Sequence, residues 1–189
     1  MELTENSTWI LPAMELNLCL RMLGAAQRTV LPVAESEQSL NRRMLNGFLH
    51  LLELGLVEPE GELFRPTAKM RARLEPIARP RAILRLGSAA GGLLSVYLGE
   101  DAVTLAEAAG EDGQSCRLDA AERETLEREL ERALDAQGIA GAVLELLGPD
   151  GRMIEKTTLP DGSGPRQEAL RSALERAEEE TGRAGGRTE

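Results

Sequence analysis

Across residues 40–54, apolar positions recur at three- and four-residue spacing, through Leu40, Met44, Leu45, Phe48, Leu49, Leu51, Leu52 and Leu54. That period predicts a long amphipathic helix, and Gly55 is placed to end it in the left-handed conformation. Leu56-Val57-Glu58 and Leu63-Phe64-Arg65, split by Pro59-Glu60-Gly61, then read as strand, turn, strand. Thr67 can cap a following helix with Met70, Leu74 and Ile77 on one side, and Pro76 and Pro80 are expected to close it before a strand over residues 82–86. A helix followed by a hairpin is the wing half of a winged helix. A helix-turn-helix reader also needs a short helix packed just before the recognition helix, and residues 34–38 are too short and too acidic to supply one. The stripe Arg42, Asn46, His50 and Glu53 therefore reads as a solvent face. Upstream, Pro12 suits the first turn of a helix running through Leu16, Leu18, Leu20 and Leu23 to Gly24, and residues 28–33 look extended.

After residue 86 the pattern turns to strands. Residues 93–98 and 103–106 flank a Gly99-Glu100-Asp101 turn, and residues 115–118 offer a further strand. Asp119 with Glu122 three positions on has the form of a capping box for a helix whose stripe is Leu126, Leu130, Ala133 and Leu134. A second hairpin spans residues 142–157 around Pro149-Asp150-Gly151, and a final helix is expected from Pro165 through Leu170, Ala173, Leu174 and Ala177. An offset of 49 superimposes Gly92 on Gly141, Asp101 on Asp150 and Asp112 on Asp161. Two readings are open: a repeated strand-strand-helix unit, or the shared demand of hairpins for Gly and Asp at their turns. A true repeat would put both units in one sheet with helices on one side, leaving the other face or the edges open.

The expected fold is thus α+β: a winged-helix-like helix-hairpin-helix over residues 1–86, then a mostly antiparallel sheet with helices over residues 87–181, continuous with the first part or separate from it. Gly and charge in residues 182–189 predict a disordered tail. The chain of 189 residues has one Trp, one Tyr and two Phe, so Leu, Ala, Val and Met must fill its core. Two cysteines and a start that is neither basic nor followed by an apolar run point to the cytoplasm, and no apolar run approaches the roughly 20 residues that cross a bilayer.

The net charge of -10 is uneven. Residues 1–86 hold 11 basic against 10 acidic side chains; the remainder holds 11 against 22. General attraction to nucleic acid is not expected of such a chain. Within it, Arg65, Lys69, Arg71, Arg73, Arg79, Arg81 and Arg85 are opposed locally only by Glu75. They read either as a solvated face attracting the acidic C-terminal part or, through Lys69, Arg71, Arg73, Arg79 and Arg81, as a docking patch for an acidic partner or a phosphate backbone.

No catalytic constellation stands out. His50, the single histidine, lies inside a leucine-rich helix; Cys19 and Cys116 lack metal-ligand spacing and read as small core residues. Gly87-Ser88-Ala89-Ala90-Gly91-Gly92 lacks the Lys-Ser/Thr ending of a phosphate loop and runs into a strand. No cofactor is expected.

The order helix, Leu54-Gly55-Leu56-Val57, hairpin, helix, Ile77-Ala78-Arg79-Pro80, Ile83-Leu84-Arg85-Leu86, then Gly92-Leu93-Leu94-Ser95-Val96-Tyr97-Leu98 leading to Val103-Thr104-Leu105 resembles the EspG family over about residues 16–137. Those proteins are cytosolic chaperones of type VII secretion. The resemblance implies a non-enzymatic α/β fold with internal pseudo-duplication and a protein partner or secretion substrate; it transfers no binding residue by motif. This chain departs in being shorter and in lacking the helix-hairpin-helix element in its second half. The functional expectation is a non-enzymatic intracellular protein-binding chaperone or adaptor, with a winged-helix transcriptional regulator bearing an acidic ligand-sensing or dimerisation part as the alternative. Exposed sheet surface is expected to engage the partner, or a second copy, through Leu93, Leu94, Val96, Val143, Leu144 and Leu146.

Overall fold

A computed structural model describes residues 8–25, 37–87, 93–110, 114–137 and 141–185. The interior strand β4 (Ala82–Gly87) is apolar at each position on one side and carries Ile83 and Arg85 on the other. Ala82, Leu84 and Leu86 enter one core cluster and Ile83 the other. With buried apolar side chains on both sides, the strand is covered on both faces.

In chain order the elements are β1 (Trp9–Pro12), α1 (Ala13–Met22), α2 (Glu37–Glu53), β2 (Val57–Glu60), β3 (Leu63–Pro66), α3 (Ala68–Ala78) and β4. Then come β5 (Leu93–Leu98), β6 (Val103–Ala109), β7 (Ser115–Ala121), α4 (Leu126–Gln137), β8 (Val143–Leu147), β9 (Met153–Thr158) and α5 (Ser163–Gly185). The fold is α+β. Its seven-stranded sheet has the order β1-β7-β6-β5-β4-β8-β9 with antiparallel pairing throughout, and β2-β3 stand apart as a hairpin. The sheet draws β1 and β4 from residues 1–86 and the rest from residues 87–181, so it spans both parts of the expected division. Among the described residues no helix is long and apolar enough to cross a membrane.

One face carries Trp9, Leu11, Cys116, Leu118, Ala106, Tyr97, Ile83 and Leu147 beneath α1, α2 and α3. The other carries Leu84, Leu86, Leu94, Val96, Leu98, Val103, Leu144 and Leu146 beneath α4 and α5. Helices therefore lie on both sides: α4 and α5 share one side, as the repeat reading expects of its own helices, and α1, α2 and α3 cover the side that it leaves open. α5 joins α4 through its stripe Leu170, Ala173 and Ala177, which is fully or nearly buried on their shared side.

The repeat fails in path. Hairpins β5-β6 and β8-β9 correspond, but the 49-residue offset sets β7 against residues 164–170, which are helical in α5. After β9, the last strand of the sheet order, the chain returns across the sheet as a helix, whereas after β6 a further strand still has β1 to pair with. Shared Gly and Asp at hairpin turns explain the similarity.

Four local expectations change as well. Trp9–Pro12 is a strand, paired Trp9 to Leu118, and Pro12 precedes α1 as its cap residue. Asp119 is no helix cap; β7 continues through it to Ala121 opposite Val103, and a short 3-10 turn, Arg123–Thr125, enters α4. Pro76 lies inside α3, which ends at Ala78, and Thr67 precedes that helix without a side-chain cap bond. α5 starts at Ser163 and runs to Gly185, so residues 182–185 are helical instead of tail, while residues 186–189, 88–92 and the extended passage expected at 28–33 lie outside the described residues.

Candidate functional site

Four of the six strand residues expected to meet a partner belong to the core. Leu94, Val96, Leu144 and Leu146 are buried beneath α4 and α5, and Val143 is half-buried. Leu93 starts β5, and its side chain lies outside what the structure describes. The strand alternation did mark an apolar face, but α5 covers it.

The sheet edges are guarded in the way edge strands usually are. β1 has four residues and ends in Pro12. β9 exposes Met153 and Ile154, yet it carries Glu155 and Lys156 at its centre and a bulge against Leu146 and Leu147. Lys156 Nζ binds Glu145 Oε1 at 2.9 Å. Charge and a bulge both disfavour adding another strand there.

The basic cluster is dispersed by the fold. Arg73 is buried, its guanidinium 5.1 Å from the Trp9 ring centroid and its Nη1 donating to the Leu118 carbonyl at 3.1 Å. Burial holds its pKa below the ordinary arginine value, against the opposing pull of the Asp119 carboxylate. Arg79 pairs with Glu75 at 2.8 Å one helical turn away. Arg81 reaches Glu100 at 2.7 Å, so it binds the acidic second part of the chain as the solvated-face reading expects. Arg65 pairs with Glu58 and Glu60. Lys69 is exposed and Arg71 half-buried on α3. Helical spacing hinted at Arg73, which falls on the stripe of Met70, Leu74 and Ile77.

His50 has a partner that its sequence position does not reveal. Its Nδ1 lies 2.8 Å from Oε1 of Glu15, a buried carboxylate on α1, while the ring is half exposed. Gly47, one turn earlier, lets the helices approach: a Cβ there would sit 3.2 Å from Glu15 Cγ. This contact joins α1 to α2. Cys19 and Cys116 are both buried, and burial pushes their thiols up to about 12 and about 11. Since the thiolate is the reactive form, native protein is expected to resist iodoacetamide at pH 8 and to alkylate at both cysteines once denatured, as read by mass spectrometry. Rapid labelling of the native chain would contradict this packing. Among the described residues no cluster of three or more metal-ligating side chains occurs.

Two surface features remain. A groove of about 510 Å³ lies between α4 and the β5-β6-β7 face, where Arg117 pairs with Asp119 at 2.8 Å and Glu107 at 3.6 Å, opposite Glu129 and Arg132. Its charges largely answer one another. The second is apolar: among the described residues, five of the eight exposed large hydrophobic side chains, Leu45, Leu49, Leu54, Leu63 and Phe64, fall between residues 45 and 64. Phe64 meets Phe48 edge to face at 4.9 Å, fixing the hairpin against α2. Leu63 points the other way, 74% exposed, on the hairpin side that bears Glu58, Glu60 and Arg65. Sequence periodicity missed this surface because it counted Leu45 and Leu49 with the core stripe. Compared with known proteins, the chain matches no family model and no curated protein sequence.

Proposed function

We propose that the chain is a non-enzymatic protein-binding chaperone or adaptor, in the manner implied by its resemblance to the EspG chaperones of type VII secretion. The observation that supports this reading is the β2-β3 hairpin. It stands outside the main sheet, anchored by Val57, Pro66 and the Phe48–Phe64 contact, and it presents Leu63 to solvent. A single exposed leucine on a flat surface needs no explanation, but Leu63 and the partly exposed Phe64 on an element outside the main sheet leave apolar area where the monomer gains nothing from it. Contact with another protein would recover that area.

A photo-crosslinking residue in place of Leu63, expressed in the native cell, is expected to capture a distinct protein. The same residue at Glu168, exposed on α5, is expected to capture none. Capture of nothing, or only of the chain's own copies, at position 63 would remove the chaperone reading.

The regulator alternative is less well supported by α2. Its outer face sets Leu45 and Leu49 among Arg42, Asn46 and Glu53. Leucines and a carboxylate are poorly suited to phosphates and base edges. Genomic DNA fragments at near-physiological salt are expected to show no sequence-preferring shift. A competitor-resistant complex lost on Arg42→Ala with Arg43→Ala would reassign the protein as a regulator.

A further inference from the structure

The outer face of α2 has a pattern that is complementary to itself. Successive residues on a helix turn by 100°, so Leu45, Leu49 and Arg42 lie within about 60° of one another, with Glu53 about 20° further round. Phe48 and Leu51 point away from this face, Phe48 toward the hairpin and Leu51 into the core. His50 and Gly47 face α1. The face left between those two contacts holds two leucines, 58% and 47% exposed, bracketed by a cation at one end and a carboxylate at the other. Among the described residues Arg42 and Glu53 have no ion-pair partner.

We propose that α2 packs against α2 of a second copy of this chain, antiparallel, about a two-fold axis level with Gly47. Under that symmetry residue i stands opposite residue 94 − i. Leu45 of each copy meets Leu49 of the other, giving two leucine layers at the centre. Arg42 comes within one residue's rise, about 1.5 Å along the axis, of Glu53 of the second copy, and both lie on the same side of the seam. The two-fold makes this ion pair twice. A parallel arrangement would set Arg42 beside Arg42 and Glu53 beside Glu53, so charge selects the antiparallel one. An isologous interface needs such self-complementarity, and the α2 face supplies it in both shape period and charge. The hairpin tip at Leu63 is not part of this seam. The dimer therefore does not depend on the chaperone reading.

The test is the mass of the purified full chain in solution by sedimentation equilibrium across a concentration series. The expected result is a reversible dimer of twice the 20.5 kDa chain mass. Leu45→Asp with Leu49→Asp is expected to leave a monomer with unchanged far-ultraviolet circular dichroism. Arg42→Glu and Glu53→Arg, each alone, are expected to weaken the dimer about tenfold by placing like charges together twice. Combining R42E with E53R is expected to restore it, because the pair is re-formed with its signs exchanged. A wild-type monomer at all concentrations overturns the proposal. So does a dimer that survives the two aspartates, or a charge-swapped double variant no stronger than either single one.

Discussion

Arg73→Met is expected to lower unfolding stability by about 2 kcal/mol, although the new side chain is apolar and similar in length. The guanidinium is nearly fully buried between α3 and β1, stacked on Trp9 and bonded to the Leu118 carbonyl. Leu118 is also the residue that β1 pairs with through Trp9, so one side chain ties α3 to both members of that pairing. A desolvated cation over an indole is worth roughly 2 kcal/mol, and a hydrogen bond from a charged donor about 1.5–3 kcal/mol. Burying the charge offsets part of that gain, consistent with the lowered pKa of Arg73. Arg73→Lys keeps the charge but loses the planar stack and the fixed fork, and is expected to fall between wild type and the methionine variant. Trp9 is the only tryptophan, so its fluorescence during urea unfolding reports on this contact directly. Equal urea midpoints for wild type and Arg73→Met would show that the stacked arginine contributes nothing.

The elements that could be read along the chain are those whose determinants are local. The hairpin β2-β3, the strand pairs β5-β6 and β8-β9, and helices α2 and α3 all declare themselves by period and by turn residues. The misread parts depend on neighbours far away in sequence. Trp9–Pro12 is too short to signal a strand and becomes one only because β7 presents an edge to it. Asp119 and Glu122 have capping-box spacing, yet pairing with β6 extends β7 through Asp119 and overrides the local preference. The surface between residues 45 and 64 did leave a trace: α2 carries more apolar positions than one buried stripe needs, and Leu45 and Leu49 are that surplus. Which side of the sheet α5 would cover left no such trace in the strands.

Leu144 and Leu146 respond differently to truncation as core residues beneath α5 than they would as contact residues. Leu144→Ala and Leu146→Ala are each expected to cost about 2–5 kcal/mol, the range for removing most of a buried leucine side chain with incomplete collapse around the gap. Both residues are 3% exposed on β8, the strand that joins β4 to β9, and they pack with Leu170, Ala173 and Ala177 of α5. Because α5 itself offers mostly alanines to this cluster, it has little side-chain volume with which to fill the space, and the cost should lie toward the upper end. The loss is expected in the urea midpoint and in faster hydrogen exchange along α5 and β9. Leu63→Ser, exposed on the hairpin, is expected to leave both unchanged to within about 0.5 kcal/mol. If instead the alanine variants kept wild-type stability, the strand face would be accessible and α5 would have to be released from it, returning β8 to the list of surfaces that can receive a partner.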